Sequence, residues 1–143
     1  ALARQLADAH AAGTERVEVD LSESPDLAPV LAAVATQIDP AVEIVGAAHL
    51  RHKESDRIGD LAEALAQVGV TIEPRDDGMR IPSGVQTPRD GASWPTFGDH
   101  RLAMAGLLLT AGGVSLQIEA PMVVAKSYPN FWHHARRLGW SVG

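Results

Sequence analysis

His49-Leu50-Arg51-His52-Lys53-Glu54-Ser55-Asp56-Arg57-Ile58 is the stretch on which the reading of this chain turns. A short apolar run, Val42 to Val45, leads into it, and Ile58, Leu61, Leu65 and Val68 follow at helical spacing on one face. A strand therefore hands over to a helix inside the charged stretch. A helix N-terminus presents free N–H groups and a partial positive charge, so it favours anions before any side chain is counted. Lys53 and Arg57 add full charges at that corner, which makes it a candidate seat for phosphate or carboxylate. Glu54 is the exception: an acid among cations either neutralises them or moves protons. The plainer alternative is a solvated first turn in which Glu54 pairs with Arg57 or Lys53.

Working outward, the spacing predicts a helix over residues 1–12 ended by Gly13, and a strand from Arg16 to Leu21 with Val17, Val19 and Leu21 on one face. Ser24-Pro25-Asp26 opens a helix to about Gln37, with Ser24 suited to the N-cap and Pro25 to the first helical position. Asp39-Pro40 breaks it. Val42 to Gly46 is the next strand, then comes the charged junction and its helix, stopped by Gly69. Val70 to Glu73 and Met79 to Pro82 flank the turn Asp76-Asp77-Gly78 as a hairpin. Residues 83–96 read as loop. Gly98-Asp99-His100-Arg101 opens a very apolar helix from Leu102 to Ala111, and Val114 to Ile118 alternates as a strand. A last helix is expected from about Asn130 to Leu138, and a short strand at Trp140 to Val142. The order is β-α-β-α-β-β followed by a partial repeat of pattern. It implies an α/β (α+β) fold, with Ala- and Leu-rich helices packed on a sheet.

At 143 residues the chain fits one domain with a real core. It lacks an initial Met and opens on a helical pattern, as a piece of something longer would. The net charge of −6, with no basic tract and no interleaved aromatics, argues against nucleic acid as a partner. An anion site must therefore be local, built against the overall field. With no cysteine there is no disulfide framework, thiolate metal site or Cys nucleophile. That composition suits a reducing compartment. No apolar run approaches the ~20 residues of a membrane span. His133 and His134 are adjacent on a helix and cannot face one ligand, and no HExxH spacing occurs, so no metal is expected.

Four strand-to-helix junctions carry ionisable residues: Asp26; then Lys53, Glu54, Asp56 and Arg57; then Asp99, His100 and Arg101; then Lys126. In layered α/β architectures the loops at one end of the strands share an edge of the sheet, and ligands bind there. Convergence of the cationic junctions would make a site for a ligand with several negative charges, Arg serving planar bidentate recognition and Lys acting as a point charge. Taken singly, Asp26 reads as a helix N-terminal acid, His100 as a helix-entry histidine and Lys126 as a solvated loop lysine. Arg101 resists that treatment, because a charge opening an apolar helix needs a partner.

Arg51-His52-Lys53-Glu54-Ser55-Asp56-Arg57, Gly98-Asp99-His100-Arg101-Leu102-Ala103-Met104 and Ala125-Lys126-Ser127-Tyr128-Pro129 together resemble, in order and separation, three C-terminal signatures of the 5-enolpyruvylshikimate-3-phosphate synthase family. Ser24-Pro25-Asp26 resembles a fourth. The resemblance spans about residues 20 to 132. It implies transfer of the enolpyruvyl group of phosphoenolpyruvate to the 5-hydroxyl of shikimate 3-phosphate, with release of phosphate and no metal or organic cofactor. It also implies a cytoplasmic, two-domain protein of βαβαββ units, an inside-out α/β barrel with the substrates between the domains. Residues 1–143 would then be one domain, the C-terminal part, holding about two units at roughly 14–83 and 84–143, with the N-terminal domain as partner. By position, Asp26 matches the acid on the shikimate hydroxyls and a base for the 5-hydroxyl. Lys53 matches a contact on the shikimate-phosphate side, and Glu54 the acid near the methylene of phosphoenolpyruvate. Arg57, Arg101 and Lys126 match the cations on its phosphate and carboxylate. His49 stands where the family often has Asn, and Asp99 and His100 support the Arg101 junction. Lys53 and Arg57 favour the charged form of Glu54, whereas an acid catalyst at neutral pH needs it protonated, so Lys126 is an alternative proton donor. Two other readings are a UDP-N-acetylglucosamine enolpyruvyl transferase and a non-catalytic fragment that binds anions.

Overall fold

A computed structural model describes residues 1–52 and 56–140. After helix α1 (Leu2–Ala11), strands β1 (Arg16–Asp20), β2 (Ala41–Val45), β3 (Glu73–Arg75) and β4 (Gly78–Ile81) form one sheet in the order β1-β2-β4-β3. β1 and β2 are parallel, and β4 runs antiparallel to both of its neighbours. Helices α2 (Ala28–Ala35) and α3 (Arg57–Gln67) make the crossovers. The resulting order, β1-α2-β2-α3-β3-β4, is the one the sequence predicts. A second, two-stranded parallel sheet joins β5 (Ala92–Trp94) to β6 (Leu116–Ile118) around helix α4 (His100–Leu109), and helix α5 (Phe131–Arg137) follows.

Alternation decides which face of the large sheet is buried. Val17, Val19, Val42, Ile44, Met79 and Ile81 all point into the core. In the opposite phase the register aligns Glu18, Glu43, Arg80 and Glu73 in one row across four strands. Arg80 sits between the two acids beside it, 3.2 Å from Glu43 and 3.1 Å from Glu73. Helices α2 and α3 pack on the apolar face, and an antiparallel element in the sheet allows the other face to be polar.

The small residues of α2 let it approach α4 closely: Ala28, Ala32, Ala33 and Ala35 are buried beside Leu102, Ala105 and Leu109. Gln37 Nε2 ties the pair by donating to the Leu108 carbonyl at 2.7 Å. Beneath α4, Trp94 is fully buried and its indole N–H donates to the Leu102 carbonyl at 2.7 Å. Gly106 lies directly over that ring, and a Cβ there would stand 2.6 Å from the indole nitrogen. α4 is thereby held at both ends of its first turns, which bears on Arg101.

Some expectations are corrected. Residues 83–96 hold β5, a strand too short to show periodicity and buried mainly through Trp94. The strand expected from Val70 begins at Glu73. Gln86 explains why: its side-chain amide donates to the Thr71 carbonyl and accepts the Thr71 N–H, both at 2.8 Å, so an amide stands in for a neighbouring strand. The helix expected from Ser24 starts as a 3-10 turn, Pro25–Leu27, and Ser24 makes no side-chain cap. The strand expected at Trp140 to Val142 falls largely outside the described residues. No helix among the described residues is long and apolar enough to cross a membrane.

Candidate active site

Each charged junction has its own local cause. Beyond β1 the chain turns on Asp20, whose carboxylate accepts the Ser22 hydroxyl and, at 2.8 Å, the Ser22 N–H. Those two bonds, the hydroxyl first, hold the Asp20 carboxyl below the usual carboxylate range. Gly46, with φ of +76°, lets the end of β2 lie against this loop, where any Cβ would strike Asp20 and Ser22. The 3-10 turn that follows presents Asp26. Beyond β2, a 3-10 turn (Ala48–His52) leads to α3, whose N-cap is Asp56, accepting the Gly59 N–H at 3.0 Å. Arg51 braces that cap at 2.8 Å and donates its Nε–H to the Arg75 carbonyl. Arg57 is the first residue of α3. Beyond β5, Phe97 and Gly98 both have positive φ, and Asp99 caps α4 by accepting the Arg101 N–H at 2.8 Å. A non-glycine residue such as Phe97 in that region is strained, and such strain persists only where the surrounding structure imposes it.

These three junctions meet. Asp26 accepts from Arg57 Nη1 at 3.3 Å and from Arg101 Nη2 at 3.1 Å. Asp99 lies 3.7 Å from Arg57 Nε and 3.7 Å from Arg101 Nη1. Two acids and two guanidinium groups thus close a ring drawn from residues up to 75 positions apart. The partner that Arg101 requires at the head of an apolar helix is this pair of acids. The ring rests on an apolar floor that includes Pro29, Leu50, Ile58, Leu61 and Met79, with a cavity of about 10 Å³ beneath it. That is space for roughly one water.

The other expected residues are placed less centrally. Lys126 ends a 3-10 turn (Pro121–Lys126) packed on α4, is exposed, and joins no ion pair among the described residues. Its segment leaves the same sheet edge as α4. β5 and β6 are parallel, and the turns beyond them are tied by the Thr96 hydroxyl donating to the Glu119 carbonyl at 3.0 Å. The structure therefore brings Asp26, Arg57, Asp99 and Arg101 together and leaves Lys126 on the adjoining segment. His100 Nδ1 is 3.9 Å from Asp99, outside hydrogen-bond distance. His49 is exposed on the 3-10 turn before the junction. Lys53 and Glu54 lie outside the described residues.

Charge balance sets what the ring can do. Two positive and two negative groups cancel, so a passing anion meets no net attraction from the ring as it stands. An anion that took the place of a carboxylate would leave the charge count of the ring unchanged. Asp26 is the more accessible of the two acids, with 54% of its side chain exposed against 15% for Asp99. Arg57 and Arg101 lie side by side, the paired donors that carboxylate and phosphate oxygens fit.

The family profile for EPSP synthase (3-phosphoshikimate 1-carboxyvinyltransferase) matches residues 4–134. The chain belongs to that family. A 3-phosphoshikimate 1-carboxyvinyltransferase from Clostridium kluyveri is 40% identical over 138 residues, which cover 91% of this chain and 32% of the relative. One from Methanoculleus marisnigri is 39% identical over 116 residues, covering 81% and 27%. In three dimensions the chain is similar to a solved EPSP synthase from Acinetobacter baumannii, with a TM-score of 0.68 and 30% identity over 76% of this chain and 26% of that one. The chain thus spans about a quarter to a third of the length of the family members it matches. Two contacts of this corner are not announced along the chain. Arg51 braces the Asp56 cap, and Asp99 touches both arginines. Asp99 is expected from the sequence to support the Arg101 junction, but its approach to Arg57, 42 positions earlier in the chain, has no local signal.

Proposed function

We propose that this chain supplies part of the substrate cleft of an enolpyruvyl transferase, which moves the enolpyruvyl group of phosphoenolpyruvate to the 5-hydroxyl of shikimate 3-phosphate and releases phosphate. The observation that carries this reading is the meeting of Arg57 and Arg101 around one exposed carboxylate. A donor with a phosphate and a carboxylate supplies the anions for those guanidinium groups and for Lys126. The acceptor supplies hydroxyls for Asp26 and a phosphate for Lys53, with His49 at the margin.

In the reaction the acceptor hydroxyl loses its proton and its oxygen bonds to C2 of the donor, while the C3 methylene gains a proton and becomes a methyl group. The C2–O bond to phosphate then breaks, a methyl proton leaves, and the double bond returns. The step needs a base at the hydroxyl, an acid at C3 and fixed positive charge where phosphate departs. Asp26 takes the first role, Glu54 or Lys126 the second, and Arg57, Arg101 and Lys126 the third. The remaining wall of the cleft comes from the N-terminal domain of the same enzyme, and the reaction runs in the cytoplasm. The two repeating units are assigned to roughly 14–83 and 84–143.

The test is a chimera in which this chain replaces the matching third of the Clostridium kluyveri relative, assayed for phosphate release. Release is expected only with phosphoenolpyruvate and shikimate 3-phosphate together, and none with UDP-N-acetylglucosamine as acceptor. The 143-residue chain alone is expected to release none. A chimera that folds cooperatively yet releases no phosphate would overturn the assignment.

A further inference from the structure

We propose that Asp99 is the positioning residue of this corner: it fixes the spacing and orientation of Arg57 and Arg101, so that ligand exchange occurs at Asp26 and leaves the arginines in place. The two acids divide the guanidinium nitrogens between them. Arg57 and Arg101 hydrogen-bond to Asp26 through Nη1 and Nη2, and face Asp99 through Nε and Nη1 at 3.7 Å, as ion pairs outside hydrogen-bond distance. The acids differ in how they are held. Asp99 Oδ1 is anchored at 2.8 Å by the Arg101 N–H in the first turn of α4, and α4 is itself pinned through Trp94. Asp26 rides on a short 3-10 turn with about half of its side chain exposed, 54%. Two guanidinium groups side by side repel one another. When an anion displaces Asp26, Asp99 is the group that still keeps both in register. It acts through the arginines and touches no substrate.

Asparagine separates this role from capping, because Asn caps helices about as well as Asp yet carries no charge. In the 143-residue chain, Asp99→Asn is expected to keep the Arg101 amide resonance near its place and to leave Tm nearly unchanged. The Arg57 Nε–H resonance is expected to shift, because the facing carboxylate charge is gone. Asp99→Ala, which loses the cap as well, should also lower Tm by several degrees. The second readout rests on the transferase reading. In the active chimera, Asp99→Asn is expected to lower kcat by about tenfold or more, as misplaced groups do. KM for phosphoenolpyruvate should not rise, since the substitution removes a negative charge from the anion's path. An unmoved Arg57 resonance in Asp99→Asn overturns the proposal. So does a loss in which kcat, KM and Tm deteriorate together, because that is a folding defect. If the unsubstituted chimera is inactive, the transferase reading fails, and the Arg57 resonance still decides whether Asp99 holds the arginines.

Discussion

Two regions of this molecule are built from the same chemistry, arginine between two acids. On the outer face of the sheet, Arg80 lies between Glu43 and Glu73. At the junctions, Arg57 and Arg101 lie between Asp26 and Asp99. The outer row is a by-product of strand pairing: once the register is set, those residues are cross-strand neighbours whether or not anything uses them. The junction ring has no such cause. Its members come from three separate loops, each shaped by its own device: the Asp20–Ser22 turn under Gly46, the Asp56 cap braced by Arg51, and the strained Phe97-Gly98 entry to the Asp99 cap. The difference teaches that ion-pair geometry alone says little about function, whereas the amount of structure devoted to assembling a pair says a good deal.

Substitutions can break that comparison, and the largest effect should come from the ring. Arg101→Ala in the active chimera is expected to lower turnover by about 10²–10³-fold, the range for removing one preorganised donor from a site of developing charge. Arg80→Ala in the same assay should leave turnover within about twofold, because Arg80 lies on the opposite face of the sheet from the junctions. Equal losses from the two would erase the distinction. Gly106→Ala tests whether the ring depends on the packing beneath it. The new Cβ meets Trp94 at 2.5–2.6 Å, so overpacking should cost about 1–3 kcal/mol in denaturant unfolding. It should also displace the Arg101 resonances more than those of Arg80.

Smaller effects sharpen the same contrast. Asp56→Ala removes the α3 cap and should cost about 1 kcal/mol, whereas Asp56→Asn keeps the cap and isolates the charge. Burial works to raise the Asp56 carboxyl, but the Gly59 N–H, the Arg51 guanidinium and the Ile58 N–H outweigh it and hold it below the ordinary carboxylate range. A folded value below the unfolded one, about 3.9, means that the charge-linked stability is present above that pH and is lost as pH falls through the folded value. Thermal melts of wild type and Asp56→Asn should therefore differ by a constant amount near neutrality and converge below about pH 4. Least of all, Arg80→Ala should change stability by under about 1 kcal/mol, and less still in high salt.

Much of this was legible along the chain because the signals are local. Apolar period marks the inner face of β1 and β2, glycine ends α3, and acids open α3 and α4. What stayed hidden depended on neighbours that are remote in sequence. β5 is three residues long and shows itself only by pairing with β6. The missing strand at Val70 reflects the Gln86 side chain, which no periodicity can announce. Arg101 could be recognised as a charge in want of a partner, but its partners could not be named.

From the sequence alone came the α/β order, the four charged junctions and the family, because residue spacing sets helix and strand locally and signature residues survive as linear strings. Only the folded chain decided that Asp26, Arg57, Asp99 and Arg101 close into one neutral ring while Lys126 stays on the adjoining segment. That outcome depends on how α2 and α4 pack over the sheet and on where each turn leaves its strand. Packing at that scale is a sum of contacts between distant residues, and no local pattern encodes it.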